Sequence, residues 1–310
     1  MIELTQQMRK FRPPRSPAPG EFVGRYQILR RLGHGGGGEV FEAVDPRTGD
    51  EVALKTLRPD WAADRRRVQE FLEEAYTASC VVHPGVVRMR AWGRGGACIP
   101  FLAMDLLRGD PLSVRMARAR LSIREVVRVL DGVLDALEAV HAAGVLHRDI
   151  KPGNVILARR CSDRERVTLV DFGLALRARS GSPRESRVSG TPAYMAPERM
   201  RGHRGTPKSD LYAVGALAYE MLSGAPPYGH EPPEIFEALG RKLAPADAEQ
   251  PVLSRWVARL LAPSAFLRPS SASPVRSSLR QLARSGEIIG LAPRPPIRVA
   301  RPLALAGASV

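Results

Sequence analysis

The sequence predicts an α+β fold in which strands dominate the first third of the chain and helices dominate the rest. Between Tyr26 and Leu57, short apolar runs of strand length alternate with glycine-rich or polar turns. Residues 122 to 143 and the stretch SDLYAVGALAYEMLSGAPPY, residues 209 to 228, instead predict helices, the first amphipathic and the second strongly apolar. A chain of 310 residues is long enough for one large two-lobed domain or for two domains.

The two ends of the chain have the composition of unstructured polypeptide. Residues 1 to 24 combine prolines with arginines, and residues 285 to 310 combine prolines with Ala, Leu and Arg. Segments of this kind bury too little apolar surface to offset the chain entropy that folding removes. We therefore expect a flexible leader over residues 1 to 24, a folded domain over residues 25 to 284 and a disordered tail over residues 285 to 310.

A glycine-rich loop joins the first two long predicted strands. Gly33, Gly35 and Gly38 precede Val40 in the pattern GxGxxGxV. Because glycine has no Cβ, backbone amides in such a loop can approach phosphate oxygens closely. A dinucleotide-binding fold has similar glycines but needs a helix after them, whereas a strand pattern follows here. The loop therefore predicts a phosphate-binding site between two strands.

The long amphipathic pattern predicts a supporting helix. Ser122 is a suitable N-cap, and Gly144 is a suitable stop signal. This helix leads into the stretch that begins at His147, for which it serves as scaffolding.

Residues 147 to 173 read HRDIKPGNVILARRCSDRERVTLVDFG. Between Asn154 and Val170, two short apolar runs flank a polar turn, which is the pattern of a hairpin. A hairpin would bring Asp149, Asn154 and Asp171 to one end of a sheet. Carboxylate and amide oxygens are ligands that Mg²⁺ prefers. The stretch therefore predicts a site for a metal-bound phosphate.

Composition narrows the class of protein further. The formal net charge is +15, from 47 Lys and Arg residues against 32 Asp and Glu residues. Because the arginines are scattered, a solvated basic surface is favoured over a surface for nucleic acid, anionic lipid or acidic proteins. There is no run of about 18 apolar residues and no N-terminal signal pattern, so we expect a cytoplasmic protein without a membrane span.

These motifs together resemble the catalytic domain of eukaryotic-like (Hanks-type) bacterial serine/threonine protein kinases. The resemblance covers about residues 24 to 284 and rests on the glycine loop, VALK ending at Lys55, HRDIKPGN, DFG and an APE motif ending at Glu198. It implies a two-lobed protein kinase-like fold. The small lobe, residues 25 to 105, is expected to hold an antiparallel sheet with one helix. The large lobe, residues 106 to 284, is expected to be mainly helical.

The resemblance implies four catalytic residues. Asp149 would accept the proton of the substrate hydroxyl, and Lys151 would stabilise the phosphoryl group during transfer. Lys55 would bind the α- and β-phosphates of ATP while paired with Glu74 on the helix of the small lobe.

The same resemblance implies the ligands of the cation and of the nucleotide. Asn154 and Asp171 would hold Mg²⁺, with Mn²⁺ as the alternative cation. Met104 would limit the depth of the adenine pocket. The implied nucleotide-binding residues are Leu32, Gly33, Gly35, Gly38, Val40, Ala53, Lys55, Met104, Asp105, Leu107 and Ile156.

The segment from Asp171 to Glu198 resembles an activation segment. Thr191 matches the threonine that bonds to the catalytic Asp and Lys in this family. Asp210 is implied to brace the backbone of the catalytic loop, and Arg268 is implied to pair with Glu198. Arginines surround four serines, which are candidate phosphorylation sites with the last two preferred: Ser180, Ser182, Ser186 and Ser189.

The sequence departs from the family pattern in two segments. The tip of the glycine loop is Gly37, where an aromatic residue is common, so we expect weaker shielding of the nucleotide. In the large lobe, Pro263 and Ser264 replace the common Asp-Pro. This second change is expected to affect the stability of the lobe more than its chemistry.

The implied function is a serine/threonine protein kinase that transfers the γ-phosphoryl group of Mg·ATP to Ser or Thr hydroxyls of proteins. We expect autophosphorylation in the activation segment, through a transient homodimer and without a requirement for nucleic acid.

Three alternative functions stay open. One is a nucleotide-binding pseudokinase or scaffold, which the Gly37 tip favours. Another is a small-molecule phosphotransferase, against which the APE motif stands. The last is nucleic-acid binding through the basic surface, which could coexist with kinase activity.

Overall fold

The small lobe is built on one antiparallel sheet. The computed structural model describes residues 15–35, 38–95, 99–159, 165–171, 176–177, 190–229 and 244–288. Its first strands are β1 (Phe22–Val23), β2 (Tyr26–Gly35), β3 (Gly38–Val44), β4 (Glu51–Leu57), β5 (Met89–Arg94) and β6 (Pro100–Asp105). Within these described residues the six strands pair antiparallel in the order β1-β2-β3-β4-β6-β5.

One face of this sheet forms an apolar core that includes the first short strand. Tyr26 meets Phe101 edge to face, with ring centroids 5.9 Å apart. Val23 pairs with Tyr26 and is fully buried in the same core. The sheet therefore begins inside the range that the sequence analysis assigned to the leader.

The helix of the small lobe packs on the other face of the sheet. After the single turn α1 (Pro59–Ala62), helix α2 spans Arg65–Ser79. Asp64 caps it, because its carboxylate accepts hydrogen bonds from the backbone nitrogens of Arg66 at 2.9 Å and Arg67 at 3.3 Å. The buried residues at this contact are Leu57, Val68, Phe71, Ala75 and Leu102.

The large lobe is mainly helical, as expected from the resemblance. Its helices are α3 (Leu112–Arg118), α4 (Ile123–Ala142), α5 (Pro197–Met200), α6 (Pro207–Ser223), α7 (Pro251–Leu260) and α8 (Ala272–Ser285). Helix α4 lies at the centre and contacts both α6 and α8. The predicted cap is confirmed, because the Ser122 hydroxyl and the Glu125 carboxylate form a capping box. Gly144 follows the helix with φ 71°, a left-handed conformation that favours glycine.

The predicted hairpin is also confirmed. Strand β7 (Gly109–Pro111) pairs with β9 (Val155–Ala158), which pairs in turn with β10 (Arg166–Leu169). Val155 lies opposite Leu169, so Asn154 and Val170 lie next to each other at one end of the hairpin. Beside it, β8 (Val145–Leu146) pairs with β11 (Leu176–Arg177). The segment from His147 to Asn154 therefore runs from the end of β8 to the start of β9, which pairs with β10.

Several contacts among the described residues join the lobes. Leu169 of β10 accepts a hydrogen bond from the backbone nitrogen of Val87 at 2.9 Å and donates one to the carbonyl of Gly85 at 2.8 Å. Arg108, in the segment after β6, forms ion pairs with Glu42 and Glu51 of the small lobe. None of the helices in the described ranges is both long enough and apolar enough to cross a membrane.

Candidate active site

The carboxylate of Asp149 lies at the centre of a compact set of hydrogen bonds. Its Oδ1 accepts from the backbone nitrogen of Thr191 at 3.1 Å and from the hydroxyl of Thr191 at 3.0 Å. Its Oδ2 accepts from Nδ2 of Asn154 at 3.0 Å and lies 2.6 Å from Nζ of Lys151. Both oxygens are therefore engaged, and the negative charge has an ammonium beside it.

Lys151 and Thr191 complete this set. Nζ of Lys151 donates to the Thr191 hydroxyl at 2.9 Å, while the same hydroxyl donates to Asp149. The expectation that Thr191 bonds to both the Asp and the Lys is thus confirmed. The arrangement holds a positive charge next to a hydrogen-bond acceptor, which is a chemistry suited to a hydroxyl nucleophile and an incoming anionic group.

A second ion pair joins the small lobe to the end of the hairpin. Nζ of Lys55 on β4 lies 2.6 Å from Oδ1 of Asp171, although 116 positions separate the two residues. Burial alone would raise the pKa of Asp171. The charge and hydrogen bond of Lys55, aided by Lys151 and His147, outweigh burial and hold that pKa below its ordinary value. Asp171 therefore keeps its negative charge at neutral pH.

The residues at this end of the hairpin fit a divalent cation. Nδ2 of Asn154 donates to the carbonyl and to the carboxylate of Asp149, at 2.8 and 3.0 Å, so its side-chain oxygen is directed away from Asp149. The backbone nitrogen of Val170 donates to the carbonyl of Asn154 at 3.0 Å, which brings Asp171 beside Asn154. An ionised carboxylate and an amide oxygen are hard donors, as Mg²⁺ and Mn²⁺ require.

The backbone before Asp149 is held from helix α6. Asp210 accepts hydrogen bonds from the backbone nitrogens of His147 at 3.0 Å and Arg148 at 2.9 Å, and from Nε2 of His141 at 2.9 Å. Burial would raise the pKa of Asp210, but the bond and charge of His141, together with His147 and the Arg148 N–H, lower it below its ordinary value. The expected bracing role of Asp210 is confirmed.

The predicted nucleotide-binding residues lie along adjacent strands near the junction of the lobes. Val40 of β3 lies opposite both Gly33 of β2 and Lys55 of β4, and Ala53 lies opposite Met104 of β6. The remaining members occupy neighbouring elements of the two lobes: Leu32, Gly35 and Gly38 on β2 and β3, Asp105 at the end of β6, Leu107 after it, and Ile156 on β9.

Gly38 is required by packing as well as by its place in the loop. A Cβ built on Gly38 would lie 1.9 Å from the carbonyl oxygen of Thr56, far inside any real contact. Any larger residue would therefore push β3 away from β4. From the sequence alone, only the approach of phosphate explains this glycine.

The end of the segment after Asp171 is anchored by a buried ion pair. Arg268 donates to Oε1 and Oε2 of Glu198 at 2.8 and 2.9 Å, and its side chain is fully buried. Burial would raise the pKa of Glu198, but the Arg268 bonds and charge lower it below its ordinary value. The expected pairing of Arg268 with Glu198 is confirmed. The altered Pro263 takes part, because its carbonyl accepts from Arg268 at 3.1 Å.

Some of the predicted features lie outside the described residues. Glu74 belongs to helix α2, but its side chain is outside the described part of the structure. The same holds for the Gly37 tip and for the candidate phosphorylation sites Ser180, Ser182, Ser186 and Ser189.

Two residues that support the loop carrying Asp149, one through Asp210 and one directly, were not predicted from the sequence. His141, in the last turn of α4, bonds to Asp210. Arg199, next to Glu198, donates from Nη1 to the carbonyl of Arg148 at 2.7 Å. A histidine at the end of a helix is a weak signal, and an arginine in an arginine-rich chain carries no signal of burial.

Comparisons with known proteins agree with this geometry. A family model described as the protein kinase domain matches residues 26–265. Serine/threonine-protein kinase PknA of Mycobacterium tuberculosis is 38% identical over 212 residues, which cover 66% of this chain and 48% of that protein. The probable serine/threonine-protein kinase pknA2 of Bifidobacterium longum is 34% identical over 277 residues, covering 86% of this chain and 36% of that protein. The chain thus spans half or less of the length of these two curated relatives.

A solved structure shares the fold. The crystal structure of the PknI kinase domain of Mycobacterium tuberculosis superimposes with a TM-score of 0.69 at 28% identity, covering 87% of this chain and all of that domain. The matched family model spans most of the chain, including both lobes and the residues around Asp149. The chain therefore belongs to the protein kinase domain family.

Proposed function

We propose that the protein is a serine/threonine protein kinase that transfers the γ-phosphoryl group of ATP to hydroxyl groups of proteins. The observation that carries the proposal is the environment of Asp149, whose carboxylate is bonded to the Lys151 ammonium and the Thr191 hydroxyl. This is a hydrogen-bond acceptor held beside a fixed positive charge. A hydroxyl nucleophile needs the first, and a phosphoryl group in transfer needs the second.

Asp149 positions the substrate hydroxyl and accepts its proton. The hydroxyl takes the place of one of the donors that now occupy the carboxylate. Because the transition state of phosphoryl transfer is loose, the proton moves late, and Asp149 contributes mainly by orientation. Lys151 remains beside it and stabilises the negative charge on the phosphoryl oxygens.

Lys55 and Asp171 act in the binding of ATP and its cation. In the proposed complex Lys55 contacts the α- and β-phosphates, and Glu74 holds it in place. Asp171 and Asn154 would hold the divalent cation, for which Mg²⁺ is proposed with Mn²⁺ as a substitute. Such a cation would neutralise negative charge on the phosphates. The glycine loop between β2 and β3 would approach the phosphates, and Val40, Ala53 and Ile156 would contact the adenine ring.

Serine and threonine are proposed as the acceptor residues because of the descriptions that the relatives carry. PknA carries the description serine/threonine-protein kinase, and pknA2 the description probable serine/threonine-protein kinase. The resemblance described above likewise implies that Lys151 and Thr191 belong to the serine/threonine form of the loop. Autophosphorylation would occur in the activation segment between two copies that meet transiently. The site of action is proposed to be the cytoplasm, where ATP is supplied, and no nucleic acid is required.

The test compares the protein with Asp149→Asn and with the matched control Asp60→Asn, an exposed carboxylate in α1 that pairs with Arg58. Each is incubated with radiolabelled ATP, Mg²⁺ and a generic basic protein, and ATP binding is measured separately by calorimetry. We expect transfer by the unmodified chain and by Asp60→Asn, and a loss of at least about 10³-fold in Asp149→Asn with ATP binding retained.

Two outcomes would contradict the proposal. Binding of ATP without transfer by the unmodified chain would favour a pseudokinase. Undiminished transfer by Asp149→Asn would remove the role of Asp149.

A further inference from the structure

We propose that Arg199 is a positioning residue of the active site. It holds the backbone that leads into Asp149. Arg199 belongs to the short helix α5 and is almost fully buried. Its Nη1 donates a hydrogen bond of 2.7 Å to the carbonyl oxygen of Arg148. The proposal rests on the kinase function proposed above and adds a residue to it.

The bonded carbonyl belongs to the peptide group that joins Arg148 to Asp149. The two preceding peptide groups are also held, because the amides of His147 and Arg148 donate to Asp210 at 3.0 and 2.9 Å. Side chains from two separate helices thus fix three successive peptide groups before Asp149. Asp210 fixes the first two through their N–H groups, and Arg199 fixes the third through its carbonyl.

The conformation of this backbone explains why it needs such support. Arg148 has φ 70°, in the left-handed region that residues with a Cβ rarely adopt. A strained conformation of this kind persists only where the surrounding contacts determine it. A charged donor inside the protein makes a stronger hydrogen bond than a neutral one. Arg199 supplies such a donor at the strained residue itself.

The position of Arg199 also connects two parts of the site. It follows Glu198, which Arg268 anchors through two hydrogen bonds. Gly205 lies against the Arg199 side chain, since a Cβ there would be 3.4 Å from Cδ of Arg199, an ordinary van der Waals distance. The anchored end of the activation segment is therefore linked through one side chain to the loop that carries Asp149.

The test uses Arg199→Met, which keeps the apolar stem and removes the donors, and Arg199→Lys, which restores one charged donor. The matched control is Arg201→Met, because Arg201 is exposed at the end of the same helix. Steady-state kinetics give kcat and KM for ATP and for a basic peptide. Hydrogen exchange followed by mass spectrometry reports on the amides of residues 147–151.

We expect Arg199→Met to lower kcat about 10- to 100-fold, while KM for ATP changes by less than about twofold. Arg199→Lys should recover part of the loss. Exchange of residues 147–151 should be faster in Arg199→Met, and Arg201→Met should match the unmodified chain in every measurement.

The proposal is overturned if Arg199→Met leaves exchange of residues 147–151 unchanged, or if it leaves kcat unchanged in a chain that transfers phosphate. It is equally overturned if exchange accelerates throughout the large lobe, since that outcome indicates general destabilisation. Should the unmodified chain transfer no phosphate, the proposed function fails, and the exchange measurement alone decides whether Arg199 holds the loop.

Discussion

Removing the guanidinium of Arg268 should destabilise the large lobe strongly. The Arg268 side chain is fully buried and donates to both oxygens of Glu198 and to the carbonyls of Ala262, Lys208 and Pro263. Arg268→Met keeps most of the apolar stem but leaves the Glu198 carboxylate, only 17% exposed, without its cation. Breaking a buried pair in this way costs about 3–5 kcal/mol. That is a large share of the roughly 5–15 kcal/mol that stabilises a typical protein.

The free energy of unfolding is obtained from urea titrations followed by circular dichroism at neutral pH. With a urea dependence of about 2–3 kcal/mol per molar, the expected loss moves the midpoint down by about 1–2 M. The control is Arg259→Met, which removes an exposed guanidinium from helix α7 and should change stability by less than about 0.5 kcal/mol. A loss below about 1 kcal/mol in Arg268→Met, comparable to the control, would refute the argument that this pair anchors the lobe.

Three further outcomes are expected. The pKa of Glu198 is lower in the folded protein than its ordinary value of 4.5. The Glu198 carboxylate therefore contributes fully to stability above pH 4.5, and this contribution is lost as the pH falls through the lower pKa of the folded state. The stability difference between the unmodified chain and Glu198→Gln should therefore shrink on acidification, and a pH-independent difference would contradict this. Asp210→Asn should lower the free energy of unfolding by at least about 2 kcal/mol and should also lower kcat, because it weakens hydrogen bonds to two backbone amides and to His141. Thermal unfolding measures the first effect, and phosphate transfer measures the second. Arg280→Ala should lower the free energy of unfolding by at most about 1 kcal/mol, and by less in high salt, because Arg280 is 47% exposed and Asp131 keeps its ion pair with Arg276. A larger loss in urea titration that does not depend on salt would contradict this expectation.

The sequence predicted the features that depend on local pattern. The helix that Ser122 caps and Gly144 follows was predicted from apolar spacing and end signals, and the structure has it at Ile123–Ala142. The hairpin between Asn154 and Val170 was predicted from two apolar runs around a polar turn. In both cases short-range energetics decide the conformation, so a single sequence contains the information.

Features that depend on distant packing were not predictable in the same way. The burial of Val23 arises from pairing with β2 and contact with the sheet core, whereas composition around it suggested an unstructured leader. The contact between Lys55 and Asp171 joins residues 116 positions apart. The contact of Arg199 with the Arg148 carbonyl exists only because the fold brings α5 next to the loop that carries Asp149. No local rule distinguishes that arginine from the exposed Arg201.

The saturated carboxylate of Asp149 has a thermodynamic consequence. Its two oxygens already accept from Thr191, Asn154 and Lys151, so an arriving substrate hydroxyl exchanges one hydrogen bond for another of similar strength. Such an exchange adds little to ground-state affinity. Under the proposed function, the benefit of the contact is realised only as the oxygen–phosphorus bond forms and the hydroxyl becomes more acidic. Selectivity between a serine and a threonine acceptor must then arise from contacts elsewhere on the substrate.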